Sequence, residues 1–397
     1  EIAPSDWSSD VCSSDLKHVK AHKVKIMIIG LGSVGNYLLD YLVSKNDSDI
    51  EIIVVGRSFE KLESDVNIVR VAAMIREQNK SQIKIESGVD LTDVDSIAKV
   101  VEKHAPDFIV NSSRAYPGLK YGSISWHNVR AYGIWTPLSI RFVKNIMEAC
   151  EKAESEAIVI NTSYSDAVIP WMKTAGKNYP DFGSGNLNHL IPRLKFGAAQ
   201  LLGVEDFWNI KVMLSTAHFH DVCVSKEGHS EGVNLPLKIY YNGEEKTIEQ
   251  EKLLECCKIS MPTDAKRNMM NASSNFRIID AIINCIRTGE NEIIFSPGVM
   301  GHIGGYPVMI GYKNGEIDAW IDESVFSMEE MEAVNRKSMA LDGVEDVNDG
   351  VLIYTYDILN KCKNAFGVEL PKFVKYEDID ETASLIIEKI IKPNTEK

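Results

Sequence analysis

The chain of 397 residues is 44% hydrophobic and 25% charged, an ordinary globular composition with length enough for two domains and a large core. Its net charge of −14, with no Lys/Arg block to offset it, argues against nucleic acid or an anionic membrane as partner and for a small-molecule substrate. Seven cysteines without a CxxC form neither a disulfide framework nor a zinc knuckle, and no apolar run reaches the roughly 18 residues of a membrane span, so a reducing cytoplasm is the expected setting.

Residues 1–16, EIAPSDWSSDVCSSDL, lack the basic start and apolar centre of a secretory signal. They resemble the translation of a sequencing adaptor and read as a non-native leader, with the authentic chain expected to begin between Lys17 and Val24. Without the leader's four acidic residues the chain is still acidic.

The organising stretch follows at once. Val24–Ile29 is a strand rich in β-branched residues that runs into Gly30-x-Gly32-x-x-Gly35, and Val34, Leu38, Leu39 and Leu42 then recur at helical spacing. Gly30 allows the turn off the strand, Gly32 leaves room for a pyrophosphate, and Gly35 lets the helix lie close to the sheet. With the helix start at Ser33 and Val34 supplying free N–H groups, this is a dinucleotide fingerprint in its proper context. The second strand, Ile50–Val55, ends in Gly56-Arg57-Ser58, where an acidic residue would hold the ribose of NAD. Arg57 and Ser58 offer a charged fork and a hydroxyl instead, so NADP is expected over NAD.

Further strand and helix signals alternate. Phe59–Gln78 reads as a helix burying Leu62, Val66, Ile68 and Val69, Gln82–Glu86 as a strand, Val94–His104 as a helix capped from Asp90–Asp93, and Asp107–Asn111 as a strand ending beside Ser112. The segment from Ser112 to Gly122, with Arg114, reads as a lid or as a plain connection. A helix over Thr136–Ala153 and a strand over Ala157–Asn161 follow, and the strand ends in a polar run to Asp166. The alternation gives a doubly wound parallel α/β sheet with its ligand at the carboxyl ends of the strands.

In the second half, Ile191–Leu202 is a helix carrying Arg193, and the strand-like Met213–Asp221 (MLSTAHFHD) places His218 and His220 on one side if it is extended throughout. Either histidine suits acid/base work near neutrality, and with Cys223 they offer a metal site, but no further ligand cluster is visible and no metal is expected. Glu231–Thr247 reads as a hairpin turning at Asn242-Gly243, and Asn275–Arg287 as an amphipathic helix. The acidic Asp342–Asp349 reads as exposed, and Val351–Lys361 and Thr382–Ile391 as helices.

Taken in order, the fingerprint, the loop with Pro117-Gly118, the strand ending in Asn161, Ile191-Pro-Arg193-Leu, MLSTAHFHD, and Gly305–Ile317 followed by Ser327–Met331 resemble the lactate/malate dehydrogenase superfamily over roughly Val24 to Lys337. The resemblance implies an NADP-binding Rossmann domain over residues 24–165 and an α+β substrate domain over residues 166–392. It also implies hydride transfer to or from a carboxylate-bearing 2-hydroxy or 2-oxo acid, in a homo-oligomer. Gly30, Gly32, Ser33, Val34, Gly35, Gly56, Arg57, Ser58, Asn111 and Ser112 would hold the cofactor, Asn161 would position the substrate, Arg193 and Arg114 would clamp its carboxylate, and His218 or His220 would pass the proton. The chain departs from the family pattern at Leu190, where an aspartate orients the histidine; Asn186, Asn188 and His189 are polar residues available nearby. A saccharopine dehydrogenase-like reductase acting at an amine-bearing carbon, and an NADP-binding sensor without turnover, are the alternatives.

Overall fold

The computed structural model describes residues 15–395. The leader therefore lies outside the described residues except for Asp15 and Leu16, and Leu16 is buried.

The first half alternates strand and helix. The strands are β1 (Val24–Ile29), β2 (Ile50–Val55), β3 (Gln82–Glu86), β4 (Phe108–Asn111), β5 (Ile158–Asn161) and β6 (Phe182–Gly183). Between them run α1 (Ser33–Ser44), α2 (Phe59–Ile75), α3 (Val94–His104), α4 (Gly118–Val129), α5 (Thr136–Lys152) and α6 (Ser165–Thr174). The six strands are all parallel in the order β3-β2-β1-β4-β5-β6, the doubly wound dinucleotide-binding arrangement.

Residues of the central strands alternate between two cores. Met27, Ile29, Ile53, Val55, Ile109 and Val159 face one core, and Ile26, Ile28, Ile52, Val54, Val110 and Ile160 face the other. Two buried faces explain why these strands read as unbroken apolar runs.

The second half comprises α7 (Leu187–Leu202), β7 (Ile210–Leu214), α8 (His218–Glu227), β8 (Leu237–Tyr241), β9 (Glu244–Lys246), α9 (Gln250–Glu255), α10 (Asn268–Thr288), β10 (Glu292–Pro297), β11 (Gly305–Lys313), β12 (Glu316–Ile321) and α11 (Met328–Leu341). Two antiparallel sheets, β7-β8-β9 and β10-β11-β12, flank α7, α10 and α11. The turn between β8 and β9 has both Asn242 and Gly243 at positive φ, the hairpin conformation expected of Asn-Gly. The chain closes with β13 (Val344–Asn348), β14 (Val351–Tyr354), α12 (Tyr356–Phe366), β15 (Phe373–Lys375) and α13 (Ile379–Ile386). Helix α13 packs on α5, and Tyr354, Ile379 and Ala383 share the core that Met27 and Ile109 enter from the sheet.

Four expectations are corrected. Ile68 is 67% exposed on α2, because Leu62, Val66, Val69 and Ala73 already form the face against the sheet. Val351–Lys361 is a strand followed by a helix; Thr355 caps α12 with its hydroxyl and so ends the strand. The loop after β4 is short, since helix α4 begins at Gly118. The strand expected over Met213–Asp221 ends at Leu214, and His218 is the first residue of α8.

Candidate active site

The turn after β1 is shaped as the fingerprint requires. Gly30 has φ +91°, and a Cβ there would lie 3.0 Å from Ser113. A Cβ on Gly35 would lie 2.4 Å from the Gly30 carbonyl oxygen, so only glycine lets α1 lie so close to the turn. A Cβ on Gly32 would meet nothing within 4 Å. That open space lies over the first turn of α1, where no side chain caps the helix and the N–H groups of Ser33, Val34 and Gly35 are left for an anion. These residues fit a dinucleotide pyrophosphate.

At the end of β2, Arg57 is exposed, whereas Ser58 caps α2 by accepting from the Lys61 N–H at 3.3 Å and donates to Glu60 at 3.0 Å. Among the described residues the Arg57 side chain makes no hydrogen bond or ion pair, and its charge helps hold the nearby Asp90 carboxyl below its ordinary value. Gly56 accepts from the Val89 N–H and fixes the neighbouring loop. Ser112 donates to the Gly30 carbonyl at 2.6 Å and ties the β4 loop to the fingerprint turn.

Asn111 and Asn161 lie side by side in register at the ends of β4 and β5. The Asn111 amide donates to Asn161 Oδ1 at 3.0 Å, its own oxygen accepts from the Ser113 N–H, and the Asn161 amide donates to the Ser163 carbonyl and Ser165 hydroxyl, each at 3.0 Å. Asn161 is fully buried with its polar atoms engaged, so it shapes the rim loops and does not face a substrate as expected.

Beyond those strand ends lies a chamber of about 220 Å³. Its wall includes Arg114 and Thr162 from the rim loops, His189 and Arg193 from α7, His218 and Asp221 from α8, and Arg267 just ahead of α10. Three arginines and Lys226 therefore line the chamber against Asp221, a balance of charge that favours an anionic ligand.

His218 is held from two sides. Its backbone N–H donates to Asp166 Oδ1 at 3.0 Å, and its Nδ1 lies 2.7 Å from Asp342 Oδ2. Asp342 follows α11, is fully buried, and also accepts from the Tyr164 hydroxyl at 2.6 Å and the Tyr132 N–H at 2.7 Å. The rings of Tyr132 and Tyr164 stand edge-on to the imidazole, with centroids 4.8 and 5.1 Å away. Burial by itself lowers the imidazole's proton affinity, but the charge and hydrogen bond of Asp342, joined by Asp166 and Asp221, outweigh it and raise the pKa above the usual histidine range. Burial pushes the Asp166 carboxyl up to about 6.

Asp342, expected in an exposed acidic stretch, is instead the buried carboxylate that orients the histidine, the part Leu190 cannot play. Of the polar neighbours considered for that part, Asn188 donates to Ser274 and the Phe295 carbonyl, Asn186 donates to Asp166, and His189 joins the chamber wall.

His220 does not share the aim of His218. Two residues apart on a helix turn them about 200° from each other, where a strand would have aligned them. Its Nε2 donates to the Ser230 carbonyl at 3.1 Å, and its Nδ1 accepts from the Thr216 and Ser338 hydroxyls at 3.0 and 2.8 Å. Burial pushes its pKa down to about 4, so it is a neutral buried strut.

Arg193 is 3% exposed and not at a rim. One of its terminal nitrogens donates to the carbonyls of Cys257 and Ile259 at 3.0 and 3.3 Å and the other to Met261 Sδ at 3.0 Å, which leaves Nε unpaired. Arg114 donates to the Tyr121 hydroxyl at 2.9 Å, and both residues line the chamber. Arg267 was not foreseen; it stands in the polar turn Asp264–Arg267, with nothing local to set it apart from a solvated arginine. On the outer side of α7, an apolar groove of about 870 Å³ shares His189 and Arg193 with the chamber.

A second group of potential ligands does exist, contrary to expectation: Cys223, Glu227, His229 and Glu231 converge within 4.8 Å. The Arg130 guanidinium already pairs with both carboxylates, and burial pushes the Cys223 thiol up to about 12. A cation thus already occupies the cluster, which ties α4 to α8.

The parallel sheet and its glycine turn define a dinucleotide-binding Rossmann domain, followed by a second half that closes the chamber. Residues 26–121 match the family model of the saccharopine dehydrogenase NADP binding domain. The whole fold is similar to Cryptosporidium parvum malate dehydrogenase, with 15% identity and a TM-score of 0.52 over 80% of this chain and 95% of that one. It is equally similar to the C. parvum lactate dehydrogenase solved with lactic acid and nicotinamide adenine dinucleotide, with 15% identity and a TM-score of 0.52 over 80% and 96% of the two chains. Malate dehydrogenase from Aeropyrum pernix follows with 15% identity and a TM-score of 0.50 over 80% and 97%. No curated protein matches the chain. At such identities the likeness is one of fold alone.

Proposed function

We propose that this protein is an NADP-dependent oxidoreductase that moves hydride between the nicotinamide and a carbon of a small carboxylate-bearing acid, a 2-hydroxy or 2-oxo acid in the first instance. The observation that carries it is the His218–Asp342 pair beside Arg193 in a chamber at the carboxyl ends of β4 and β5. When bound, the nicotinamide supplies or accepts the hydride. His218 holds a proton for the reacting heteroatom on the nitrogen opposite Asp342, and Asp342 fixes the ring and stabilises its cation. Arg193 and Arg267 orient the carboxylate. The free Arg57 guanidinium supports NADP over NAD.

Turnover of a panel of oxo acids with NADPH and with NADH tests the proposal, and no oxidation of either cofactor by any member would overturn it. The family model matched over residues 26–121 favours a second reading, reduction at an amine-bearing carbon. The Asp342 partner speaks against a sensor without turnover, since a binding module has no use for a histidine oriented by a buried carboxylate.

A homo-oligomer is part of the proposal. Ile68, Val71 and Met74 lie three residues apart along α2 and are each more than half exposed, an apolar strip that a monomer seldom leaves bare. Sedimentation of the purified protein reads this directly. A reducing, cytoplasmic setting is supported by six free cysteines among the described residues. No described helix is long and apolar enough to cross a membrane.

A further inference from the structure

Four buried side-chain polar atoms among the described residues have no hydrogen-bond partner: Glu51 Oε1, His189 Nε2, Arg193 Nε and Asp221 Oδ1. Glu51 lies on β2, away from the chamber, and its other oxygen pairs with Lys84. The remaining three all belong to residues of the chamber wall. Unsatisfied buried polar atoms are rare, and these three belong to side chains gathered around one chamber of about 220 Å³, which points to a group bound among them.

The kinds of atom say which group. Arg193 is 3% exposed; its terminal nitrogens donate to Cys257, Ile259 and Met261, its Nε donor is unpaired, and it feels the charge of Asp221 without being within ion-pair distance of a carboxylate among the described residues. Asp221 is 6% exposed and presents a bare acceptor. Its other oxygen lies 3.5 Å from His189 Nδ1, too long for a strong hydrogen bond. The chamber thus holds a buried cation and a buried anion that form no ion pair with each other. A ligand lying between them satisfies both only if it carries an anionic group for Arg193 and an N–H donor, best a protonated nitrogen, for Asp221. A plain hydroxy or oxo acid supplies the first and spends its one hydroxyl or carbonyl on His218, leaving the Asp221 oxygen buried and bare.

We propose that the acid bound in this chamber is an amino acid, its carboxylate on Arg193 and its protonated nitrogen on Asp221. The assignment rests on the reading of the chamber as a substrate site. It concerns recognition and holds whether the reacting carbon bears oxygen or nitrogen.

The test is calorimetric binding to the full chain saturated with NADP, using 2-amino acids and N-alkylated 2-amino acids against 2-hydroxy and 2-oxo acids with the same side chains. Amino acids should bind at least about 10-fold more tightly than their hydroxy counterparts, the effect of one charged hydrogen bond of about 1.5 kcal/mol. Asp221→Asn keeps the shape and removes the charge; it should erase that preference by weakening amino acids about 10-fold or more while hydroxy and oxo acids change by less than about 2-fold. Arg193→Lys should weaken both classes. Should hydroxy or oxo acids bind as well as amino acids in the unmodified protein, the assignment to an amino acid falls while the chamber remains a substrate site. If neither class binds, both fall, and if amino acids bind indifferently to Asp221→Asn and Arg193→Lys, they bind elsewhere and the assignment fails. The preference measured in the unmodified protein decides even if the Asn variant does not fold.

Discussion

The cofactor cradle and the substrate chamber are built in opposite ways. The cradle is almost entirely backbone: its turn, open space and free N–H groups come from six consecutive residues, Gly30 to Gly35. The chamber is mostly side chains, its charges brought by Arg114, by Arg193 of α7, by Asp221 and Lys226 of α8 and by Arg267, with Asp342 behind His218. A backbone site depends on the absence of side chains and is specified locally, whereas a side-chain site depends on how distant elements pack. Substitutions in the two regions should therefore fail differently.

The largest effect belongs to the chamber. His218→Asn should lower kcat by about 10²–10⁴-fold with NADPH affinity unchanged, as loss of a general acid does. Asp342→Asn should also lower kcat and should move the pH profile. The reducing direction needs His218 protonated, so its rate falls as pH rises through the raised pKa. Without Asp342, the leading contribution that raises that pKa, the fall should come at lower pH. His220→Gln should leave the pH profile in place and lower the melting temperature instead. A profile that responds to His220 and ignores Asp342 would undo the assignment of roles.

Arg193→Lys keeps the charge but loses the planar fork, and KM for the acid should rise by about 10-fold or more, the range of a lost charged hydrogen bond. Titrating substrate against the variant gives KM, and no change in KM would remove Arg193 from the site.

At the cradle, Arg57→Ala should weaken NADPH by about 10- to 150-fold, from about 1.5–3 kcal/mol for a charge-assisted contact, and leave NADH nearly untouched. Fluorescence titration with both cofactors separates this outcome from equal losses, which would mean that Arg57 does not read the 2′-phosphate.

The two glycines give the smallest but cleanest contrast. Gly35→Ala drives a methyl against the Gly30 carbonyl and should destabilise the fold by about 1–3 kcal/mol. Gly32→Ala meets only open space, so the melting temperature should hold while dinucleotide affinity drops. Thermal melting of the two variants with and without NADPH sets stability apart from binding, and equal melting losses would contradict the open cradle.

The sequence by itself determined the parallel sheet, the fingerprint and its glycines, Arg57 at the end of β2, and the hairpin at Asn242-Gly243, because each depends on residues adjacent in the chain. Short-range sterics and hydrophobic period are written locally. Where it failed, the information was not local. His218 and His220 were legible as residues, but whether they share a face depended on a helix beginning at His218, fixed in part by Asp166, 52 positions away. Asp342 sits in an acidic stretch that any reader would place in solvent; it is buried because α11 delivers it against Tyr132, Tyr164 and His218, 124 to 210 residues away. Asn161 was found at the right strand end, but its neighbour Asn111 and the loop beyond it take up its amide. Burial and partner choice are properties of the packed molecule, since a charged side chain leaves water only where distant elements bring it a partner, and so the tertiary structure alone decided which of the polar residues form the chamber.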